Sequence, residues 1–167
     1  MATMMKTPQR ELHDYISEIS ERADVWAGSP LPLGTQERGG GVNFAIFSRD
    51  ASRVRLELFD HPENAVPARV IDLGSARNRT GDVWHVWVEG IGPGQLYAYR
   101  VDGPHEHSEG HRFNFNRLLL DPFATAISRL PPRSPHRSRF QSKAVLSNPE
   151  QYQRTSQSSR RRFINIV

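Results

Sequence analysis

Apolar side chains recur at every second position in five short segments between residues 42 and 102. Residues 53–59 show this best, because Val54, Leu56 and Leu58 alternate with charged side chains. A period of two is typical of a β-strand with one buried face, so we expect the apolar side chains to point inward and Arg53, Arg55 and Glu57 to point outward. The other predicted strands cover residues 42–47, 69–73, 83–88 and 96–102.

Turn-forming sequences separate these predicted strands. Glycine, proline and polar residues lie between them, so that one strand follows another after roughly 8–15 residues. Several short strands at such intervals are typical of an antiparallel β-sandwich. The sequence shows no alternation of strands and helices, which excludes a Rossmann or barrel fold for this chain. We therefore predict an all-β fold, an antiparallel sandwich that occupies residues 25–127.

A different period precedes the sandwich. Leu12, Tyr15, Ile16 and Ile19 stand at i, i+3, i+4 and i+7, which places them on one side of a helix. We predict a short helix over residues 10–22, within an N-terminal extension that covers residues 1–24. So short a helix is stable only when docked, either on its own domain or on a partner.

Charge is distributed unevenly along the chain. The net charge is +4, but residues 128–167 hold nine Lys or Arg and one acidic residue, whereas residues 1–127 hold thirteen basic and seventeen acidic residues. The C-terminal segment is also rich in Ser, Arg, Pro and Gln, with almost no apolar periodicity. We therefore predict that residues 128–167 form a disordered basic tail. Because no recognisable RNA-binding fold accompanies it, we do not expect nucleic acid as a partner.

Composition excludes several classes of protein. The chain has no cysteine, so it has no disulfide, no thiolate zinc site and no cysteine nucleophile. No segment approaches the ~18 consecutive apolar residues of a membrane span. The N-terminus lacks the apolar core of a secretory signal. We expect a cytoplasmic protein that has no membrane contact and needs no cofactor.

Longer phrases of the sequence point to a family. Residues 25–127 contain, in order, VWAGSPLPLG, GGGVNFAIFS, VRLELFD, DVWHVWVEGIGPGQLYAYRVDGP, and GHRFN followed by LLLDPFATAI. These phrases resemble the N-terminal domain of glycogen debranching enzymes of the isoamylase type, which belongs to carbohydrate-binding module family 48. The resemblance implies an immunoglobulin-like β-sandwich, in agreement with the strand pattern.

The resemblance also implies that a catalytic domain comes after the module in members of that family. There, a (β/α)₈ barrel cleaves α-1,6 linkages of glycogen or starch-type glucans with an Asp nucleophile and a Glu acid/base. Residues 143–149 echo the link into that barrel, after which the resemblance ends. We expect a truncated or frame-shifted chain that lacks the barrel and is inactive alone, and the enzyme assignment stays open.

The sequence is compatible with three functions. The first is a glucan-binding or docking module, with glycogen or another α-glucan as a weak ligand and the family's barrel domain as a partner. The second is a piece of a complete α-1,6-glucan debranching hydrolase. The third is a non-enzymatic interaction protein that acts through residues 10–22 or through the basic tail.

Four aromatic residues are candidates for binding carbohydrate. Glucan modules stack aromatic rings on the apolar face of glucose, and two strands supply Trp84, Trp87, Tyr97 and Tyr99. Alternation places Trp84 and Trp87 on opposite faces, so one of them is expected in the core. The same four residues would otherwise serve as sandwich core and as the surface that meets the barrel.

The histidines at His105, His107 and His111 have a spacing that could bind zinc or nickel. No cysteine accompanies them, and in the family this phrase is not a metal site, so we expect a solvated loop without metal. Around it, four residues form a predicted structural motif. Arg112 is expected to bind a carboxylate or loop carbonyls, Asn114 to cap a helical or turn segment at 117–120, and Asp121 to end that segment before a proline. The motif consists of His111, Arg112, Asn114 and Asp121, and it would let Leu118, Leu119 and Leu120 close the bottom of the sandwich.

Overall fold

The structure is a computed structural model, and it describes residues 24–106, 112–128 and 141–147. Every regular element in these ranges is a β-strand, which confirms the predicted all-β class. The same ranges contain no helix with the length and apolar character needed to cross a membrane. The helix predicted at residues 10–22 and most of the predicted tail lie outside the described residues.

The strands of the described residues pair antiparallel and form two sheets. In chain order they are β1 (Val25–Trp26), β2 (Gly34–Arg38), β3 (Gly41–Phe47), β4 (Arg53–Phe59), β5 (Arg69–Leu73), β6 (Arg79–Thr80), β7 (Val83–Glu89), β8 (Leu96–Asp102), β9 (Ala126–Ile127) and β10 (Ala144–Val145). The first sheet has the order β1-β7-β3-β2, with β6 also paired to β7. The second sheet has the order β5-β4-β8-β10-β9. The five predicted strands are confirmed as β3, β4, β5, β7 and β8.

The main core lies between the two sheets. Val54, Leu56 and Leu58 of β4 point inward as predicted, each with 3% or less of its surface exposed. They meet side chains of β3 and β7 from the opposite sheet in one apolar cluster. Phe44 and Tyr97 join the sheets by an edge-to-face contact, with ring centroids 5.2 Å apart. This packing confirms the antiparallel sandwich.

A second, smaller apolar cluster lies on the outer face of the second sheet. Phe59, Leu96 and Ala98 are buried there beneath Leu118 and Val145. Leu118 from the segment after β8 and Val145 of β10 shield this part of the face from solvent. The sequence pattern did not predict this cover, because alternation reveals only which face a side chain occupies.

Glu57 shows the consequence of that cover. It points to the outer face as predicted, yet only 2% of it is exposed. The Nε atom of Arg100 donates a hydrogen bond to its carboxylate over 2.7 Å. The same guanidinium donates to the carbonyl of Asn116 at 2.6 Å, so the covering loop takes part in the network. A buried carboxylate paired in this way would be costly to leave alone.

The end of the sandwich also differs from the prediction. Ala144 pairs in register with Tyr97 of β8 on one side and with Ile127 of β9 on the other. Ala144 and Leu146 belong to the main core. The sandwich therefore extends beyond the boundary predicted at residue 128. Residues 141–147, which were predicted to be disordered, contain strand β10.

The segment after β8 carries the predicted structural motif. His111 lies outside the described residues, and Arg112 is exposed. Asn114 caps a turn, since its side-chain oxygen accepts the N–H of Asn116 over 3.0 Å and its carbonyl accepts the N–H of Arg117 over 3.0 Å. The capped turn covers residues 114–117, earlier in the chain than the helical or turn segment predicted at 117–120.

After that turn the chain is extended. Leu119 exchanges two backbone hydrogen bonds with Tyr99, of 2.9 and 2.8 Å. Of the three leucines expected to close the sandwich, Leu118 packs on the outer cluster, whereas Leu119 and Leu120 are more than a third exposed. Asp121 is buried. Asp121 follows this segment, and its carboxylate accepts a hydrogen bond from the hydroxyl of Tyr97 in the core.

Candidate functional site

A groove with a volume of about 620 Å³ runs over the outer face of the first sheet. Its floor contains a row of four residues in direct cross-strand register. Trp26 of β1 pairs with Trp87 of β7, Trp87 with Asn43 of β3, and Asn43 with Gln36 of β2. Neighbouring strands lie ~4.8 Å apart, so this row extends over about 14 Å. We call this surface the tryptophan groove; its remaining lining consists of Gly28, Ser29, Arg38, Gly39 and Glu89.

The indole of Trp87 lies along the surface of the sheet. Its Nε1 donates to the backbone carbonyl of Arg38, two strands away on β2, over 3.0 Å. To reach it, the ring crosses β3 at Gly41, where an added Cβ would lie 2.6 Å from ring atom Cζ2. The absence of a side chain at Gly41 therefore lets the ring lie flat. The ring thus lies over Gly41, and Trp87 is half-buried and lines the groove.

Trp26 forms the end of the groove and is 50% exposed. The segment that follows it is anchored to the sheet by the Asn43 side chain. The backbone N–H of Ser29 donates to Asn43 Oδ1 over 2.7 Å, and Asn43 Nδ2 donates to the Ser29 carbonyl over 2.9 Å. Asn43 is 3% exposed and has its amide committed to Ser29, so we assign it a positioning role.

A second anchor holds the same segment. His85 lies buried on the outer face of β7, and its Nδ1 is 2.6 Å from the carbonyl of Ala27. A carbonyl can only accept, so Nδ1 carries the proton. His85 Nε2, 2.9 Å from the hydroxyl of Thr80, is then free to accept a hydrogen bond from it in the neutral ring. The two anchors fix residues 27–29, and with them the strand that carries Trp26.

Exposed polar side chains flank the flat indole. Gln36 and Arg38 stand on β2, and Glu89 stands on β7. Arg38 and Glu89 lie in the register row of Gly41, next to the row of Trp87. Together they offer an amide, a guanidinium donor and a carboxylate acceptor beside a flat aromatic face. A pyranose ring presents C–H bonds on its face, which suit the negative face of an indole, and hydroxyls at its rim, which suit these polar groups.

Three of the four predicted carbohydrate-binding aromatics require a correction. Trp84 is 1% exposed, and Tyr97 and Tyr99 are not exposed at all. All three belong to the main core, so no sugar ring can stack on them in this fold. Burial, together with the nearby Asp121 carboxylate, raises the pKa of both tyrosine hydroxyls, which therefore stay neutral. As predicted, Trp84 and Trp87 occupy opposite faces, and Trp87 is the one outside the core.

Sequence reasoning missed Trp26 and the polar lining. Trp26 precedes a segment with two prolines and two glycines, where no alternation indicates a strand. Strand β2 has the sequence GTQER, which lacks apolar positions and so gives no periodic signal. Both strands exist because β7 and β3 supply pairing edges. The register that aligns the groove residues is a property of the sheet rather than of any local sequence.

The histidine cluster is only partly described. His107 and His111 lie outside the described residues. His105 is exposed and its Nδ1 is 2.8 Å from the carbonyl of Phe113. Within the described part of the chain no group of three or more potential ligands is positioned to hold a metal ion.

Comparison with known proteins relates most of the sandwich to a family. Residues 32–124 match the family model of carbohydrate-binding module 48, described as the isoamylase N-terminal domain. The glycogen debranching enzyme of Klebsiella pneumoniae (strain 342) is 50% identical over 101 residues, which are 60% of this chain and 14% of that enzyme. The glycogen debranching enzyme of Yersinia enterocolitica is 44% identical over 105 residues, 62% of this chain and 15% of that enzyme. The chain thus spans about one seventh of these relatives.

Solved structures share the fold at low sequence identity. The pullulanase from Bacillus acidopullulyticus superposes with a TM-score of 0.51 and 18% identity, over 72% of this chain and 12% of that one. The pullulanase SAP of group B Streptococcus, solved in complex with maltotetraose, gives a TM-score of 0.50 and 20% identity, over 78% of this chain and 16% of that one. These likenesses establish the fold.

Proposed function

The chain belongs to the carbohydrate-binding module 48 family, and we propose that it binds α-glucan chains such as glycogen through the tryptophan groove. The observation that carries this proposal is the flat indole of Trp87, which rests on Gly41 and presents its outer face beside exposed polar side chains. The relatives support the choice of ligand, because those with about half of their matched residues identical are glycogen debranching enzymes.

We infer that the module contributes binding and that hydrolysis belongs to other parts of such enzymes. The described residues form the sandwich, and the chain matches only 14% of the Klebsiella enzyme. A single flat indole with solvent on one side should give weak affinity, since open sites bury little of a ligand. Retention of long glucan chains would then depend on many weak contacts along one polymer.

The test compares two substitutions of Trp87 in the whole chain. Trp87→Ala removes the platform, and Trp87→Phe keeps a flat ring without the indole N–H. We expect Trp87→Ala to weaken retardation in glycogen-containing gels and to lower the affinity for maltotriose at least tenfold, which corresponds to about 1.4 kcal/mol. Trp87→Phe should retain part of the binding.

Two controls accompany that comparison. Phe47→Ala removes another half-exposed aromatic ring of the first sheet that does not line the groove, and it should bind as the unaltered protein does. Circular dichroism of each variant reports whether the sheets are intact. Glycogen binding by Trp87→Ala that equals that of the unaltered protein would exclude the groove as the site.

We also infer that the module docks on a catalytic domain through apolar side chains near the end of the matched region. Leu119, Leu120, Phe123 and Ile127 are 37–52% exposed within nine residues of sequence. Phe123 lies close to the start of β2, because a Cβ added at Gly34 would be 2.8 Å from its Cβ, and half of Phe123 is exposed. The chain covers so little of its relatives that a further domain is available in them to cover this surface. Apolar residues gathered near one end of a module are typical of a contact with another domain.

A further inference from the structure

A second cleft adjoins the tryptophan groove on the far side of β1. It has a volume of about 900 Å³ and lies between the edge of the first sheet at β1 and the edge of the second sheet at β5. We call it the edge cleft. It is more polar than the groove, and residues of both sheets and of the loop before β6 line it. The lining includes Trp26, Arg69, Val70, Asp72, Arg77 and Asn78.

Trp26 lines both surfaces. Because β1 is the edge strand, its half-exposed indole forms the ridge between the groove on one side and the edge cleft on the other. A linear chain that crosses the flat ring of Trp87 toward β1 therefore passes Trp26 next. Beyond that residue, the edge cleft is the surface that such a chain would enter.

The walls of the edge cleft are fixed by ion pairs. Both terminal nitrogens of Arg69 donate to the carboxylate of Asp24 at 2.5 Å, which ties β5 to the residue before β1. Asp72 accepts hydrogen bonds from Arg53 and from Arg55, the latter at 2.9 Å to each oxygen. Side chains held in this way lose little further freedom when a ligand arrives, and such preorganisation favours binding.

Two accessible side chains of the edge cleft suit a carbohydrate. Arg77 is exposed on the loop before β6 and brings a guanidinium whose N–H groups can donate to sugar hydroxyls. Val70 is 44% exposed on β5 and brings an apolar contact for the face of a sugar ring. Apolar contact together with a few directional polar groups is the usual composition of a ligand site.

We infer that the edge cleft continues the tryptophan groove across Trp26 and that the two surfaces bind one linear α-glucan chain. This rests on the proposed function of the groove. It adds a preference that the groove alone does not give: the module favours chains long enough to pass Trp26 over short ones that occupy the groove. Arg77 and Val70 contact the distal part of the chain.

The experiment measures the affinities of maltotriose and maltoheptaose by isothermal titration calorimetry, on the whole chain and on four variants. Arg77→Ala removes the guanidinium, and Val70→Arg fills the cleft with a long side chain. Arg117→Ala and Val66→Arg are their matched controls, at exposed positions that do not line the edge cleft. We expect maltoheptaose to bind about tenfold more tightly than maltotriose, and Arg77→Ala and Val70→Arg each to remove most of that advantage without changing maltotriose affinity.

The outcomes separate this inference from the proposed function. Equal affinities of the two sugars, or an advantage that survives both edge-cleft variants, would overturn the extended site while the groove stands. Equal losses for both sugars in Arg77→Ala would also overturn it. If neither sugar binds the unaltered protein, the proposed function fails together with the inference. Unchanged behaviour of the two control variants, with loss of the advantage in the other two, supports the continuous path.

Discussion

Asp121 links the core to the segment that covers it. Its Oδ2 accepts a hydrogen bond from the hydroxyl of Tyr97 over 3.0 Å, and its Oδ1 accepts the backbone N–H of Phe123 over 2.8 Å. Burial raises the pKa of this carboxyl group above its usual value, and the two donors reduce that increase without cancelling it. The hydroxyl of Tyr99, among the described residues, is buried without a hydrogen-bond partner. Ionising Asp121 therefore costs more free energy in the folded protein than in the unfolded one.

We predict an unusual pH dependence at this residue. A carboxyl group whose pKa is higher in the folded than in the unfolded protein favours folding most when it is protonated. As pH falls from neutral through the raised pKa toward the usual 3.8, the unaltered protein should gain free energy of unfolding relative to Asp121→Asn. Urea denaturation of both proteins across this range measures the difference.

Other carboxyl groups do not obscure this comparison. The pKa of Asp24 is lowered by the hydrogen bond from Arg69, and that of Asp72 by the hydrogen bond from Arg55, so their stabilising effects disappear as pH falls. Both are present in the unaltered protein and in the variant, so they cancel in the difference. A difference that stays constant or decreases on acidification would contradict the prediction for Asp121.

Strand β10 is the element that was hardest to predict from the sequence. Its two residues lie in a basic, serine-rich segment where the apolar stretch from Ala144 to Leu146 is too short to show a period. The strand forms because the edge of β8 and the small strand β9 both offer it hydrogen bonds. Lys143 precedes it, 2% exposed, with its Nζ donating to the carbonyl of Pro62 over 2.8 Å. Desolvation lowers the pKa of this lysine.

We predict that β10 contributes substantially to stability. Ala144 is completely buried, so Ala144→Arg would force a charged side chain into the core and should reduce the free energy of unfolding by about 2–4 kcal/mol. Gln141→Arg, at an exposed position just before the strand, is the matched control and should have almost no effect. Thermal or urea denaturation measures both. An equal effect of the two substitutions would show that β10 is not packed as described.

The predictable elements and the missed ones differ in what stabilises them. The five confirmed strands carry their own apolar alternation, so their inward faces could be assigned from sequence. Strands β1, β2 and β10 gain their structure from neighbours that are distant in sequence, and no local pattern reveals them. The candidate site follows the same division, because Trp87 stands on a predicted strand while Trp26 and Gln36 stand on missed ones.

At the scale of the whole molecule, the outer faces of the two sheets and the edges of the sandwich carry different surfaces. The outer face of the second sheet is partly covered by other segments of the chain, and the outer face of the first sheet carries the tryptophan groove. The edge formed by β1 and β5 carries the edge cleft. Phe123 lies at the start of β2, the opposite edge strand of the first sheet.

We predict that the exposed apolar side chains around Phe123 bind a catalytic domain. The matched test combines the chain with the Klebsiella debranching enzyme from which the corresponding N-terminal module has been removed. A complex should elute in size-exclusion chromatography, and Phe123→Lys should abolish it, because burying an unpaired charge at an apolar contact is unfavourable. Val66→Lys, 75% exposed and outside the cluster, is the control. A complex that tolerates Phe123→Lys would locate the contact elsewhere.

The positions of the three tryptophans make the protein its own optical reporter. Trp84 is sealed in the core, whereas Trp26 and Trp87 stand in the groove in contact with water. Emission at short wavelength therefore comes from a residue that senses only folding, and emission at long wavelength comes from residues that a sugar would shield. A soluble quencher added with and without maltotriose would separate the two populations in one cuvette, without any added label.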